Sequence, residues 1–386
     1  MKVMGLFSGI GGFERAFEKL GMDCAGMCEI DDPARMVLKH HFPNVKIHGD
    51  IRNIKRLPKA DVLTAGFPCQ DLSQAGLKIG ITGERSGLVD EIFRLLAAEK
   101  NGPEWVILEN VSYMLKLKQG GAMRYLLERI ECLGYRWAYR VIDARCFGLP
   151  QRRERVVMLL SKRNDPATVL FPDGFIDSGV DDRVGEVSAK CLYGFYWTEG
   201  KRGLGWTRNA VPTIKGGSGL GIPSPPAIWD PITGAFGTPS ISDAERMCGF
   251  DAGWTSSADV GPKSRGARWK LVGNTICVPM VDWVAQQLVK PAGLNAEVFS
   301  LKKTDRPPLA AFGGPGKQRK GVSVSRWVHK AELPNLRAFL SEPLKPLSLR
   351  ASAGFYSRAI ETTTIRFAEG FLESLELHIR EMTAQC

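Results

Sequence analysis

The stretch from Lys2 to about Ser161 alternates short apolar runs with amphipathic segments, and this alternation constrains the fold more than any other sequence feature. The apolar runs are KVMGLF, CAGMCE, VKIHGD, ADVLTAG, WVILENV, RWAYRVIDA and RVVMLLS. The segments between them, such as LVDEIFRLLAAEK, carry apolar residues at spacings of three and four and are predicted to be helices. Strands alternating with helices are typical of βαβ units around a mainly parallel sheet. The predicted fold class is therefore α/β, doubly wound.

Changes in composition along the chain predict four ranges. Residues 1–164 form the doubly wound domain, and residues 165–268, rich in Gly, Pro and Trp, form a second, smaller domain. Residues 269–292 return to the first domain through an apolar amphipathic helix from about Val278. Residues 293–386 are predicted to be a linker followed by a C-terminal helical extension. One helical stripe of that extension contains Phe367, Phe371, Leu375 and Ile379.

Composition narrows the class of protein. A chain of 386 residues with 44% hydrophobic content can bury a sizeable core, and it has no apolar run of the roughly 18 residues that a membrane span needs. With no signal-peptide pattern, a cytoplasmic location is expected. The nine cysteines are scattered, so neither a disulfide framework nor a metal site is expected. A net charge of +11 makes nucleic acid the leading candidate partner.

A glycine loop, FSGIGGFE, lies between the first predicted strand and the first helix, where doubly wound folds bind nucleotide-like ligands. Its glycines are Gly9, Gly11 and Gly12, and Glu14 occupies the position of the third glycine in a dinucleotide fingerprint. An acidic residue there would repel a pyrophosphate. The loop alone is also compatible with a simple tight turn.

Two acidic residues follow at successive strand ends. Glu29 ends the second strand, where a carboxylate can accept hydrogen bonds from ribose hydroxyls, and Asp50 ends the third, where it could accept from an adenine amino group. Together with the glycine loop they describe an adenosine pocket without a phosphate site. S-adenosylmethionine is the cofactor that fits this pattern.

A thiol and three further charged residues complete the pattern at the same sheet edge. Cys69 follows the fourth strand in AGFPCQDLSQAG, and Glu109 lies at the end of the fifth strand in LENV. In QRRERV, strand alternation would place Arg153 and Arg155 on one side. A thiolate is a nucleophile and a carboxyl can donate a proton, so a nucleophile and a proton donor share one edge. Each motif alone is weak, and the arginines alone could form a solvated face.

In order and in strand-end placement, these blocks resemble the cytosine-5 DNA methyltransferases of bacterial and phage type. The resemblance covers about residues 3 to 161 and 240 to 290 and includes RSGLVDEIFRL, FGLPQRRERV, RMCGFDAGW and LVGNTICVPMV. It implies that Cys69 is the nucleophile, that Glu109 and Arg155 hold a flipped cytosine, and that Arg153 supports them. The expected cofactor-binding residues are Phe7, Ser8, Gly9, Gly11, Gly12, Glu29, Ile30, Asp50, Ile51, Pro68, Leu88 and Asn274.

The resemblance also implies a Rossmann-like, S-adenosylmethionine-dependent methyltransferase fold with a small target-recognition domain. The expected reaction is methyl transfer to carbon 5 of a cytosine extruded from duplex DNA, through a covalent adduct with Cys69. Sequence specificity is expected from about residues 165 to 240, which mix aromatic, basic and glycine residues. The expected DNA-binding residues are Gln70, Ser73, Gln151, Lys201, Arg202, Arg208 and Lys215.

Alternatives remain at this point. One is a cytosine-5 methyltransferase that acts on RNA, such as the tRNA-directed relatives, although the Cys-Phe-Thr tripeptide usual in those relatives is missing from this sequence. Another is a partner-dependent DNA-binding regulator, and a third is a methyltransferase that is active only with a partner bound through the C-terminal stripe. The expected partner is double-stranded DNA. The chain is expected to be a monomer and not to bind a membrane. A cognate restriction endonuclease and a restriction-modification or phage role are left open.

Overall fold

The computed structural model describes residues 1–68, 87–99, 102–177, 179–180, 182, 184, 186–199, 203–217, 224–259, 266–302, 304–363 and 365–384. Contacts divide the chain into two compact units. The first contains Met1–Asp143, Glu154–Ser178 and Ile276–Lys330, and the second contains Ala144–Arg153, Gly179–Thr275 and Ala331–Cys386. These bounds differ from the four predicted ranges, mainly because the C-terminal extension is shared between the two units.

The first unit is built on a ten-stranded sheet in the described part of the chain, and one half of this sheet is parallel. The parallel strands are β1 (Lys2–Leu6), β2 (Asp23–Cys28), β3 (Ile47–His48), β4 (Val62–Gly66) and β5 (Trp105–Val111). Their spatial order is β3-β2-β1-β4-β5, with β1 pairing in parallel with both β2 and β4. Because β2 and β4 lie on opposite sides of β1, the chain changes direction there, and ligands bind at such switch points in open α/β sheets.

Four helices connect or follow the parallel strands, and each buries an apolar face. They are α1 (Gly12–Lys19), α2 (Asp32–His41), α3 (Leu88–Ala98) and α4 (Gly121–Cys132). In α3, Val89, Ile92, Phe93 and Leu96 are almost fully buried, at the spacings of three and four residues seen in the sequence. The predicted doubly wound α/β class is confirmed.

The other half of the sheet is antiparallel. Its strands are β6 (Arg136–Asp143), β8 (Glu154–Ser161), β14 (Val298–Ser300), β15 (Ala310–Gly313) and β16 (Lys320–Val322). Strand β8 pairs antiparallel with both β5 and β6, and β15 then covers the free edge of β6. The stretch expected to be a linker therefore contains strands that extend the main sheet. Short apolar runs between Gly and Pro gave no strand signal in the sequence.

The helix expected from about Val278 is α8 (Val278–Val289), and it belongs to the first unit. It packs against α1 and against the short helix α5 (Ala167–Leu170). Val281, Val284 and Leu288 lie on its buried face. In the described part of the chain, no helix is both long enough and apolar enough to span a membrane.

The second unit has a five-stranded sheet, among the described residues, in the order β10-β9-β12-β13-β17. Its strands are β9 (Tyr193–Phe195), β10 (Thr207–Arg208), β12 (Ala227–Trp229), β13 (Phe236–Thr238) and β17 (Lys345–Pro346). A separate pair joins β7 (Gln151–Arg152) to β11 (Val211–Pro212). The remaining helices are α6 (Ile241–Arg246), α7 (Ala267–Asn274), α9 (Leu336–Phe339), α10 (Leu349–Ile360) and α11 (Phe371–Ala384).

The C-terminal residues are part of the core of this second unit. Phe371 of α11 is fully buried, and its ring lies 5.1 Å from Phe195 and 5.3 Å from Trp229 between centroids. Phe355 of α10 and Leu375 of α11 are also fully buried in the same cluster. Aromatic pairs at these separations add to the area they bury. The C-terminal helices therefore complete the hydrophobic core of this unit.

Truncating Phe371 tests this arrangement. We expect Phe371→Ala to lower the free energy of unfolding of the second unit by about 3–5 kcal/mol, because it leaves a large cavity in a closed aromatic core. The control is Leu377→Ala on the same helix, where the side chain is 54% exposed and the expected change is small. Denaturant unfolding followed by hydrogen exchange in β9 and β12 measures both. Equal effects would contradict the packing described here.

Candidate active site

The glycine loop, residues 8–12, connects β1 to α1 through a run of left-handed backbone. Gly9 and Gly11 have φ angles of 56° and 85°, and Phe7, just before the loop, has a φ of 55°. Glycine adopts such angles at little cost, whereas a bulky side chain rarely does. A strained residue of this kind is typical of ligand sites. The sequence predicted the glycines but gave no sign of the strain at Phe7.

Glu29 anchors this loop from the end of β2. Its carboxylate accepts hydrogen bonds from the backbone N–H of Gly9 and of Asp31, each at 2.8 Å. The N–H of Ser8 also donates to the carbonyl of Cys28 at 3.0 Å. Burial raises the pKa of Glu29, and the hydrogen bonds from Asp31 and Gly9 oppose that shift. Glu29 therefore fixes the conformation of the loop in addition to its expected role toward a ribose.

Ile30 and Asp50, two of the residues expected to line the cofactor site, are differently placed. Ile30 is 63% exposed directly after Glu29. Asp50 accepts hydrogen bonds from the Arg52 backbone N–H at 2.9 Å and from the Arg52 guanidinium, with Nη2 at 2.5 Å. The Arg52 guanidinium holds the pKa of Asp50 below its usual range. Asp50 thus has a protein partner that the sequence did not predict.

The remaining expected cofactor residues fall into distinct environments. Pro68 is exposed at the end of the β4 segment, and Leu88 is half-buried at the start of α3. Ile51 is only 3% exposed and belongs to the hydrophobic core of the sheet. Asn274 ends α7 in the second unit, where a Cβ on Gly216 would lie 2.5 Å from its Oδ1 atom.

Glu109 and Arg155 form an ion pair at the carboxyl end of β5. Nε of Arg155 lies 2.8 Å from Oε1 of Glu109, and the side chains are only 8% and 12% exposed. The antiparallel register places Val111 opposite Arg155 and Glu109 opposite Val157, so the pair spans the two strands diagonally. Arg155 also donates to the backbone carbonyl of Glu154 at 2.9 Å. A carboxylate and a guanidinium are therefore fixed at the edge where β4 also ends.

Asn110, which sequence reasoning missed, ties β5 to the end of β4. Its Nδ2 donates to the carbonyl of Phe67 at 2.9 Å, and its Oδ1 accepts from the N–H of Val111 at 2.9 Å. The residue is 4% exposed. An amide that satisfies two backbone groups at once fixes the chain immediately before Pro68. The sign of this role that the sequence offers is a neutral amide side chain among the apolar residues of a predicted strand.

Arg153 lies in the second unit and is fully buried. Its guanidinium donates to the carbonyls of Ile214 and Gly273, each at 2.9 Å, and to that of Thr275. Gln151, expected to contact DNA, is also fully buried, and it accepts from the N–H of Ile214 at 3.1 Å. These two side chains hold separate segments of the second unit together.

Comparisons with known proteins identify the family of this chain. Residues 1–176 match the family model of the C-5 cytosine-specific DNA methylases. Type II methyltransferase M2.BsuMI of Bacillus subtilis (strain 168) is 47% identical over 380 residues, which cover 97% of each chain. The chain belongs to the C-5 cytosine-specific DNA methylases. It is therefore a DNA (cytosine-5) methyltransferase, and enzymes of this family use S-adenosylmethionine. The resemblance noted in the sequence is confirmed.

More distant relatives extend this finding. Type II methyltransferase M.NlaX of Neisseria lactamica is 29% identical over 310 residues, 74% of this chain and 96% of that protein. Among solved structures, the S. pombe Dnmt2 methyltransferase aligns with a TM-score of 0.54 and 16% identity over 75% of this chain and 99% of that one. At that identity the likeness shows the fold alone.

Several site residues expected for this methylase lie outside the described residues, namely Cys69, Gln70, Ser73, Lys201 and Arg202. Of the expected DNA-binding residues that are described, Arg208 is exposed on β10. Lys215 forms an ion pair with Glu199, and its Nζ lies 3.9 Å from the ring centroid of Tyr196. A phosphate that binds Lys215 must therefore compete with Glu199.

The buried contacts of Arg153 give a test of its role in this methylase. We expect Arg153→Met to destabilise the second unit by about 3–5 kcal/mol, because buried carbonyls lose a charged donor. Hydrogen exchange of residues 210–217 and 271–275 should rise strongly in the variant. Arg350→Met, an exposed arginine of α10, is the matched control. Unchanged exchange in the Arg153 variant would contradict a structural role.

Proposed function

We propose that this methyltransferase modifies cytosine within a short, specific duplex DNA sequence, with Cys69 as nucleophile and Glu109 and Arg155 as the residues that hold the target base. The observation that carries the assignment is the buried Glu109–Arg155 ion pair at 2.8 Å beside the end of β4. Cys69 is assigned as the nucleophile from its position in the sequence, directly after Pro68. The name of M2.BsuMI, a Type II methyltransferase, supports a restriction-modification setting.

The residues around the glycine loop fit S-adenosylmethionine. The loop offers backbone that approaches a ligand closely, Glu29 keeps lone pairs beyond its two backbone hydrogen bonds, and Ile30 presents an exposed apolar surface. We assign the cofactor to the glycine loop, Glu29, Ile30, Pro68 and Leu88. When bound, S-adenosylmethionine supplies the methyl group for the reaction. Asp50 would contact the adenine only if Arg52, which is 64% exposed, turned away.

The chain's own residues supply the activation of the base. Carbon 5 of cytosine is a weak nucleophile, so the Cys69 thiolate adds to carbon 6 while Glu109 provides a proton at ring nitrogen 3. Carbon 5 then has the character of an enamine carbon and can accept the methyl group. Loss of the carbon 5 proton to a base such as water, elimination of the Cys69 thiolate and return of the nitrogen 3 proton to Glu109 restore the aromatic ring. Arg155 holds Glu109 and the base in position throughout.

The target base cannot react inside a duplex, so it must be extruded at a cost of a few kcal/mol. Basic side chains on phosphates would offset that cost. We assign sequence recognition to the second unit and include Arg208 and Lys215 in its DNA contacts. The enzyme is proposed to act as a monomer in the cytoplasm, alongside a cognate restriction endonuclease.

Mapping 5-methylcytosine tests the proposed function. The protein is expressed in a methylation-free bacterial host, and the genomic DNA is sequenced after bisulfite conversion. We expect methylation confined to one short motif, and none with Cys69→Ser. A blank map from a folded protein that binds S-adenosylhomocysteine would contradict a self-sufficient DNA enzyme. The same assay on total RNA then tests an RNA substrate.

The role of Glu109 is tested separately. Glu109→Gln should lower kcat by about 10²–10⁴-fold, because the amide cannot provide the proton at ring nitrogen 3. Covalent trapping of this variant by DNA that contains 5-fluorocytosine measures formation of the Cys69 adduct, and its rate should fall together with kcat. Glu128→Gln, an exposed acidic residue of α4, is the control. A normal trapping rate in Glu109→Gln would show that the carboxyl is not involved in nucleophilic addition.

A further inference from the structure

Glu14, the residue that occupies the third-glycine position of the loop motif, has no role in the mechanism above, yet its environment is unusual. It lies in the first turn of α1 and is 2% exposed. Both of its carboxyl oxygens are enclosed, and neither makes a hydrogen bond of good geometry within the described residues. A buried carboxyl without partners is costly, and such a group in a native protein needs an explanation.

The carboxyl of Glu14 lies directly against the backbone of β1. A Cβ on Gly5 would be 1.8 Å from Oε1 of Glu14 and 2.6 Å from Oγ of Ser8, so the carboxyl fills the space that a side chain at residue 5 would occupy. Thr64 is the β4 neighbour of Gly5 in the parallel register. Like the carboxyl oxygens of Glu14, the hydroxyl oxygens of Ser8 and Thr64 are buried and make no hydrogen bond of good geometry in the described structure. Ser8, Glu14 and Thr64 thus form an enclosed polar cluster around Gly5, at the base of the glycine loop.

The titratable groups that face Glu14 are acidic or neutral. Glu29 at the end of β2 repels a negative charge on Glu14, and a charged Glu14 would in turn disfavour a thiolate at Cys24 of β2. Strands β1 and β4 contribute Gly5, Ser8 and Thr64 to the cluster. On the helices packed against this region, Nζ of Lys19 (α1) lies 3.6 Å from Oδ2 of Asp282 (α8), so this cation is paired with another carboxylate. Burial raises the pKa of Glu14 to about 7, although its own backbone N–H and the Ser8 hydroxyl oppose the shift.

We propose that Glu14 is a positioning residue of the cofactor site, and that its neutral carboxyl, enclosed with Ser8 and Thr64, holds the glycine loop in its binding conformation. The neutral acid fits the cluster because its O–H can donate to either hydroxyl. The ionised acid can accept hydrogen bonds from those hydroxyls, but no cation pairs with it among the described residues, so burying its charge without water is costly. Because the side chain is 2% exposed, water can reach it only if the residues that enclose it, among them Ser8, move. This inference rests on the proposed assignment of the cofactor to the glycine loop.

The consequence is a specific pH dependence of cofactor affinity. With the loop formed, Glu14 keeps its proton below about pH 7, whereas an opened loop exposes the carboxyl to water, where its ordinary pKa is 4.5. Binding that selects the formed loop therefore takes up a proton between these two values, so affinity falls as the pH rises through this window and levels off above about pH 7. S-adenosylhomocysteine is the suitable probe, because it lacks the sulfonium charge and therefore has no direct attraction to an ionised Glu14.

The first experiment measures the Kd of S-adenosylhomocysteine by calorimetry between about pH 5 and 8 for the full chain and for Glu14→Gln. We expect the affinity of the natural protein to fall by about tenfold over this range, and that of Glu14→Gln to stay near the value at the acid end. Glu18→Gln is the control, because Glu18 lies on the same helix but is 56% exposed. It should behave as the natural protein does.

The outcomes separate the inference from the function. Equal pH profiles for the natural protein and Glu14→Gln would overturn the role of Glu14 while leaving the cofactor assignment intact. Absence of binding by the natural protein at every pH would overturn that assignment itself.

A second measurement covers the case in which Glu14→Gln does not fold. Calorimetry of the natural protein in buffers of different ionisation enthalpy at about pH 6 should show uptake of a large fraction of one proton on binding. Binding without proton uptake would overturn the proposal.

Discussion

The ion pair between Glu109 and Arg155 joins the parallel half of the main sheet to its antiparallel half, and the candidate active site depends on it. The two side chains come from neighbouring strands, β5 and β8, and are almost fully buried. Neither charge could be buried alone without a large cost in solvation, so each fixes the other. The parallel strands β1, β4 and β5 end at the same edge, which brings the glycine loop and Pro68 to the region of this pair.

Backbone groups at this edge are held by side chains rather than by further secondary structure. Glu29 accepts a hydrogen bond from the N–H of Gly9, and Asn110 donates one to the carbonyl of Phe67. Each bond fixes a loop that must leave the regular sheet in order to present groups to a ligand. Such fixed loops lower the cost of ordering on binding, since the conformation already exists in the free protein.

The second unit depends on a different kind of support. Arg153 donates to three carbonyls in two separated segments, and the aromatic cluster around Phe371 includes residues of the C-terminal helices in its core. Since 97% of this chain aligns with M2.BsuMI, that relative shares most of the C-terminal extension. In a unit with short strands, packing of distant segments replaces extensive hydrogen-bonded pairing.

The amino-acid sequence by itself determined the alternating strands and helices of residues 2–161, the glycine loop, the acidic residues at strand ends and the family. These features are local, because apolar periodicity and turn residues act over a few positions. Only the tertiary structure decided which partners the charged groups take. Arg153 and Arg155 are two residues apart, yet one binds backbone carbonyls and the other binds Glu109. Asp50 pairs with Arg52, and the extension expected to be linker adds β15 to the edge of β6. Those outcomes depend on contacts between residues far apart in the chain, and hydrophobic pattern carries no information about them.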